Sequence, residues 1–203
     1  MTVTLSELKN LAETAKQRLF DEATSMGRSP KIYLHWTAAG YHTVFEDYHI
    51  NITGDGTIYV MTDDLSEVLS HTWKRNTGSI GVAICCAYGA GSEYLGDYPP
   101  TMTQIEVMAQ VIATLCDALG LPIDKQHVLT HGEAANNEDG LHTHEPYAWW
   151  NDSYGDGDTR GDLEYLGTSE SPSYNPEATD GSRGVDVLRG KAVWYQNYWR
   201  EHE

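Results

Sequence analysis

Three separate segments of this chain carry residue types that could hold a catalytic metal. His35 ends a short apolar run, Lys31-Ile32-Tyr33-Leu34, and is followed by Trp36-Thr37-Ala38-Ala39. His131 sits in Thr130-His131-Gly132-Glu133-Ala134-Ala135, and Asp162 in Thr159-Arg160-Gly161-Asp162-Leu163. Two neutral imidazoles and one carboxylate make an open zinc site, because catalytic zinc keeps three protein ligands and leaves a fourth position for water. Such a centre retains positive charge, lowers the pKa of its water to about 7 and polarises a carbonyl. Each ligating histidine is expected to donate its other ring N–H to a carbonyl or carboxylate. The three segments lie far apart in sequence, so their spacing alone does not select them.

The residues between them do. Tyr48-His49-Ile50-Asn51-Ile52, Gly54-Asp55-Gly56-Thr57-Ile58-Tyr59, His71-Thr72, Asn76 and Ser79-Ile80-Gly81-Val82 follow in order. This series resembles the zinc-dependent N-acetylmuramoyl-L-alanine amidases, which include the phage T7-type lysozymes and are related to the peptidoglycan recognition proteins. The resemblance runs from about Lys31 to Leu166, roughly two thirds of the chain. It implies a Zn2+ cofactor held by His35, His131 and Asp162, and hydrolysis of the amide between N-acetylmuramic acid and L-alanine in peptidoglycan or a muropeptide.

Each ligand has a competitor. His127 precedes His131 by four residues, and the Thr-His-Gly-Glu-Ala-Ala context favours His131. For the third ligand the family has a Cys or Asp two residues after a basic one, which Arg160-Gly161-Asp162 matches. Thirty residues separate His131 from Asp162, a longer gap than in related enzymes, and His142 and His144 within it are rival donors.

Attack on an amide builds charge on the carbonyl oxygen, which needs positioned donors. Tyr48 matches a catalytic tyrosine of the T7-type enzymes, and Arg160 stands where a lysine is common. Arginine keeps the charge but cannot give up a proton near neutral pH. The glutamate that some recycling amidases carry in the strand aligned with Ser79–Ile84 is replaced by Ala83. Glu133 is then a substitute base, or else a carboxylate that caps a helix. His71, Trp36 and Asn76 are assigned to the substrate groove.

The elements that must position these groups are legible in the pattern. Thr4-Leu5-Ser6-Glu7 reads as a capping box, and Leu8, Leu11, Ala12, Ala15 and Leu19 recur at helical spacing, giving a helix over 5–24. Strands are expected at 31–36 and 79–86, with a hairpin of 48–53 and 57–61 around Gly54-Asp55-Gly56. Thr103-Gln104-Ile105-Glu106 reads as a second capping box. Ile105, Met108, Ile112, Leu115 and Leu119 form the stripe of the helix it opens, which Gly120 and Pro122 stop. Residues 126–130 form an extended segment that delivers His131, and 185–201 a final helix. The fold expected is α/β: a single domain with a central mixed β-sheet flanked by helices, like the amidases and peptidoglycan recognition proteins. A catalytic domain over 1–167 carries an insertion at 136–160. Residues 168–203 form a linker and helical extension packed on or near it.

Composition narrows the partners. The chain has 203 residues and a formal net charge of −17, which disfavours nucleic acid and anionic surfaces. No stretch approaches the ~20 apolar residues of a membrane span, and Met1–Leu19 lacks the apolar core of a signal peptide. Synthesis in the cytoplasm is expected, with action on the wall after release or delivery, or on cytoplasmic muropeptides. Three cysteines, Cys85, Cys86 and Cys116, read as buried free thiols rather than a disulfide framework. The insertion, with Tyr147, Trp149, Trp150 and Tyr154, could stack on substrate, pack onto the domain or meet a protein partner. Two other readings share these features: a muropeptide-binding module of the same fold without catalysis, and another zinc hydrolase such as a peptidase. The H-E-x-x-H helix of many metalloproteases is absent.

Overall fold

The computed structural model describes residues 1–91, 94–141, 161–172 and 180–203. Arg160, His142, His144 and the aromatic residues of the insertion lie outside them.

A six-stranded mixed sheet forms the centre. Its strands are β1 (Thr2–Val3), β2 (Lys31–Trp36), β3 (Ile50–Ile52), β4 (Ile58–Val60), β5 (Ser79–Ile84) and β6 (Val128–Thr130), in the order β1-β4-β3-β5-β2-β6. β3 and β4 pair antiparallel as the expected hairpin, with Asn51 opposite Tyr59. β3, β5, β2 and β6 run parallel. The short edge strand β1, which pairs with β4, carries no periodic signal of its own.

Side chains alternate across a strand, and here the alternation separates core from site. Ile32 and Leu34 of β2, Ile50 and Ile52 of β3, and Ile80, Val82 and Ile84 of β5 join one apolar cluster. Three long helices complete it: α1 (Leu5–Ser25), α2 (Met102–Leu119) and, after the five-residue α3 (His131–Ala135), α4 (Gly184–Glu201). Tyr33 and Leu129 belong to a second, small cluster with Ala134 of α3, and His35, two residues after Tyr33, shares its face.

Helix α1 opens on the expected box, with Thr4 capping Glu7 and the Glu7 carboxylate accepting the Thr4 N–H. It buries Leu8, Ala12, Ala15, Leu19 and Ala23. Helix α2 starts earlier than the sequence reading places it. Its N-cap is Thr101 paired with Gln104, not Thr103 with Glu106. The same Gln104 donates through Nε2 to the carbonyls of Ile52 and Cys85, so it fastens the helix to the ends of β3 and β5. Helix α4 packs along α2, where Lys191 and Tyr195 both bind Glu106 and Gln196 donates to the Ala113 carbonyl. All three cysteines are free and buried. Among the described residues no helix is long and apolar enough to cross a membrane.

Candidate metal centre

His35 leaves the sheet from the C-terminal half of β2, fully buried, with Ala83 directly beside it in register on β5. His131 is the first residue of α3, one step past the end of β6. Thr130 caps that short helix: its hydroxyl accepts the Glu133 N–H, and the Glu133 carboxylate accepts the Thr130 N–H. The imidazoles of His35 and His131 meet edge to face, with centroids 5.0 Å apart.

Asp162 comes from the returning segment and brings Oδ2 to 3.6 Å from His35 Nδ1. One ligand atom from each of His35, His131 and Asp162 can be chosen so that all lie within 4.8 Å of one another. Two imidazole nitrogens and a carboxylate oxygen form a donor set of the kind that suits zinc. The structure therefore brings the three expected residues together. The rival His127 stays in the turn before β6, where its Nδ1 lies 2.7 Å from Asp124 Oδ1.

The segment carrying Asp162 is held under constraint. Leu163, the next residue, is fully buried and takes a φ of 67°, a conformation uncommon for a branched side chain. Its carbonyl presses against the start of α4, where a Cβ on Gly184 would come within 2.0 Å of the oxygen. Only glycine fits there. Arg183 adds an ion pair to Glu164, with Nε 2.6 Å from Oε2, and a 3.3 Å contact to Glu138. Thr130 donates to the same Glu164 carboxylate. One network thus joins the loop of Asp162, the cap of the His131 helix and the C-terminal helix.

Glu133 belongs to that network rather than to the metal group. Besides capping α3, its carboxylate receives Arg189 at 2.9 and 3.0 Å. The capping reading describes its place. A carboxylate committed to a helix N-cap and a buried guanidinium is not poised to take a proton from water.

Tyr48 lies beside the site, its ring centroid 5.0 Å from that of His35. The loop carrying it is stapled by Asn51, whose side chain accepts the Phe45 N–H and donates to the Phe45 carbonyl. Tyr48 N–H reaches that carbonyl too, at 3.4 Å.

The three residues assigned to a groove, Trp36, Asn76 and His71, are placed as follows. Trp36 shares the β2 face of Ile32 and Leu34 and packs against the main core, away from His35, because successive residues of a strand face opposite ways. Asn76 is half-buried, and its Oδ1 accepts the N–H of both His71 and Thr72. His71 is only 6% exposed, and its two ring nitrogens lie 2.9 Å from Thr72 Oγ1 and 3.3 Å from Ser79 Oγ. Burial, and then the neighbouring His35, His49 and His131, hold its pKa well below the ordinary histidine value. His49 is buried as well, accepting the Gly81 N–H at Nδ1 while Nε2 meets the Glu67 carbonyl.

Sequence reasoning gave Thr72 no role, yet its hydroxyl is the group that meets His35 Nε2, at 3.3 Å. Arg75, fully buried, holds the same loop through Asp139, at 2.6 and 3.0 Å, and Tyr33 also donates to Asp139.

The sequence model of the family described as N-acetylmuramoyl-L-alanine amidase matches residues 13–146, a span that holds His35 and His131 and stops short of Asp162. No curated protein matches the chain. Among solved structures, the chain is similar to the endolysin N-acetylmuramoyl-L-alanine amidase LysCS from Clostridium intestinale URNW, with 18% identity and a TM-score of 0.38, over 51% of this chain and 68% of that one. It is also similar to the Ph2119 endolysin from the Thermus scotoductus MAT2119 bacteriophage Ph2119, with 18% identity and a TM-score of 0.41, over 53% and 74% of the two chains. Drosophila PGRP-LB is similar at 18% identity and a TM-score of 0.39, over 52% and 70%.

Proposed function

The chain belongs to the N-acetylmuramoyl-L-alanine amidase family, and from that premise we propose that it is a zinc-dependent hydrolase of peptidoglycan. The bond cut is the amide between the lactyl group of N-acetylmuramic acid and the L-alanine of the stem peptide. The single observation that carries this reading is the convergence of His35, His131 and Asp162, with their ligand atoms within 4.8 Å.

His35, His131 and Asp162 would hold the zinc ion. When bound, zinc would supply Lewis acidity there, enough to polarise a carbonyl and to lower the pKa of water to about 7. The remaining work falls to side chains. Tyr48, held beside His35 by the Asn51 staple, donates its hydroxyl to the oxygen that gains charge when the amide carbon becomes tetrahedral. Arg160, two residues before Asp162 in sequence, would add a positive charge to the same oxygen, and an arginine does not give up its proton near neutral pH. Ala83 beside His35 offers no carboxylate, and Glu133 is held by Arg189. With no proton shuttle assigned to either position, the proposed chemistry leans on Tyr48, as in the T7-type enzymes.

The alternative reading is a muropeptide-binding module of the same fold. Loss of a ligand marks modules of that kind, and the presence of His35, His131 and Asp162 close enough together to hold an ion favours the enzyme. Mass spectrometry of purified muropeptides after incubation with the zinc-loaded protein separates the two. Hydrolysis yields the free N-acetylmuramic acid glycan and a peptide beginning with L-alanine. Intact muropeptides would leave binding alone, and cleavage inside the stem peptide would make the protein a peptidase.

A further inference from the structure

Behind His35, on the side away from Asp162, four polar groups follow one another. His35 Nε2 lies 3.3 Å from Thr72 Oγ1, and Thr72 Oγ1 lies 2.9 Å from His71 Nδ1. His71 Nε2 lies 3.3 Å from Ser79 Oγ, and Ser79 Oγ lies 3.0 Å from the carbonyl oxygen of Asn76. The last group decides the direction of the rest. A carbonyl oxygen can only accept, so the single hydroxyl proton of Ser79 goes to Asn76. Ser79 Oγ must then accept, which puts the proton of a neutral His71 on Nε2. His71 Nδ1 is thereby left as an acceptor and takes the Thr72 hydroxyl proton. Thr72 Oγ1 in turn can only accept from His35, whose proton is fixed on Nε2.

We propose that Thr72, His71 and Ser79 form a one-way hydrogen-bond chain, anchored at the Asn76 carbonyl, that sets His35 in the Nε2–H tautomer and so presents its Nδ1 lone pair to the metal. This rests on the reading of His35, His131 and Asp162 as a metal centre. Nδ1 is the ring nitrogen that faces the carboxylate of Asp162. A ligand histidine must be deprotonated at the nitrogen that binds, and an imidazole already carrying its proton on the far side needs no rearrangement. His71, Thr72 and Ser79 are positioning residues: none of them belongs to the ligand group.

Two further features belong to this arrangement. Gly81 of β5 gives His71 its place, since a Cβ there would lie 2.6 Å from the imidazole Cγ and 2.7 Å from Cδ2. Asn76 holds both ends of the loop at once, its side chain taking the backbone N–H groups of His71 and Thr72 while its carbonyl ends the chain. His71 and Asn76, two of the residues assigned from sequence to a groove, thus both take part in this arrangement.

The test reads the tautomer in the metal-free protein, with no reference to activity. Long-range 1H–15N correlation spectra at about pH 8, above the ordinary histidine range, should show His35 protonated at Nε2. Thr72→Val is nearly isosteric and removes the hydroxyl; it should shift the His35 nitrogens towards a mixture of tautomers and weaken zinc binding about 10- to 100-fold, as loss of a ligand's outer partner does. Thr72→Ser should restore both. Ser79→Ala touches neither His35 nor the metal group, yet it should move the His35 nitrogen shifts in the same direction, which a purely structural role would not do. The proposal is overturned if wild-type His35 carries its proton on Nδ1, or if Thr72→Val and Ser79→Ala both leave the His35 shifts unchanged. Expected tautomers in a wild-type protein that takes up no zinc would support the chain and remove the metal reading instead.

Discussion

His35 Nδ1 and Asp162 Oδ2 stand 3.6 Å apart, one on a central strand and the other on a segment beyond the span matched by the family. The segment that carries Asp162 is braced by the C-terminal part of the chain. Arg183 and Gly184 at the start of α4 hold Glu164 and Leu163 immediately after the ligand.

Arg183→Met should therefore act on the metal centre from a distance. It strands the buried carboxylate of Glu164, and breaking a buried ion pair costs about 3–5 kcal/mol. Urea unfolding should report that loss, and zinc titration a weaker affinity. Unchanged zinc affinity in the folded variant would show that Asp162 is held by other contacts.

Tyr48→Phe should keep fold and zinc while losing turnover. Removal of one oxyanion donor costs about 100-fold or more in kcat, with KM little changed because the ring stays. Steady-state kinetics on a purified muropeptide checks it, and a wild-type kcat would reduce Tyr48 to a packing residue.

Arg160→Ala should lower kcat strongly with zinc still bound, and Arg160→Lys should recover part of the rate, since the charge returns without the fork. If Arg160 only neutralises Asp156 and Asp158 as a surface ion pair worth ~0–1 kcal/mol, kcat for the alanine variant will match wild type; Glu164, which the sequence also offered as a partner, is buried against Arg183.

Asp139 gives the pH test. Burial pushes its carboxyl up, but Arg75 and the Tyr33 hydroxyl outweigh that and hold it below the usual aspartate value. A depressed folded pKa contributes stability that is fully present above the unfolded value and is lost as pH falls through the folded one. Asp139→Asn leaves Arg75 buried without its charge partner and should cost about 3 kcal/mol or more near neutral pH. The difference from wild type in urea unfolding should shrink as the solution is acidified below the carboxylate range.

How much of this was legible before the structure depends on what each residue needed. His35 and His131 sit at strand ends marked by apolar runs, and the alternation of Ile32, Leu34 and Trp36 against Tyr33 and His35 follows from the strand period alone. That period places Trp36 on the face opposite His35. The capping boxes of Thr4 and Thr130 obey a local rule. The misplaced start of α2 shows its limit: Thr101-Gln104 and Thr103-Glu106 satisfy the same pattern two residues apart, and the carbonyls of Ile52 and Cys85 favour the one that aims Gln104 at the sheet. Thr72, His71 and Asn76 were not legible as an inward chain, because a loop has no period and its side chains turn according to partners distant in sequence. The same holds for Glu133, whose partner Arg189 lies on a helix outside the resemblance.

The most direct measurement is zinc K-edge X-ray absorption on the metal-loaded protein, paired with metal analysis of single-residue variants. The account predicts about one zinc per chain with two imidazole nitrogens and oxygen ligands near 2.0–2.1 Å. It also predicts loss of the metal or a changed spectrum in His35→Ala, His131→Ala and Asp162→Ala, and no change in His142→Ala or His144→Ala. An unchanged spectrum in Asp162→Ala, with zinc lost on removing His142 or His144, would contradict it.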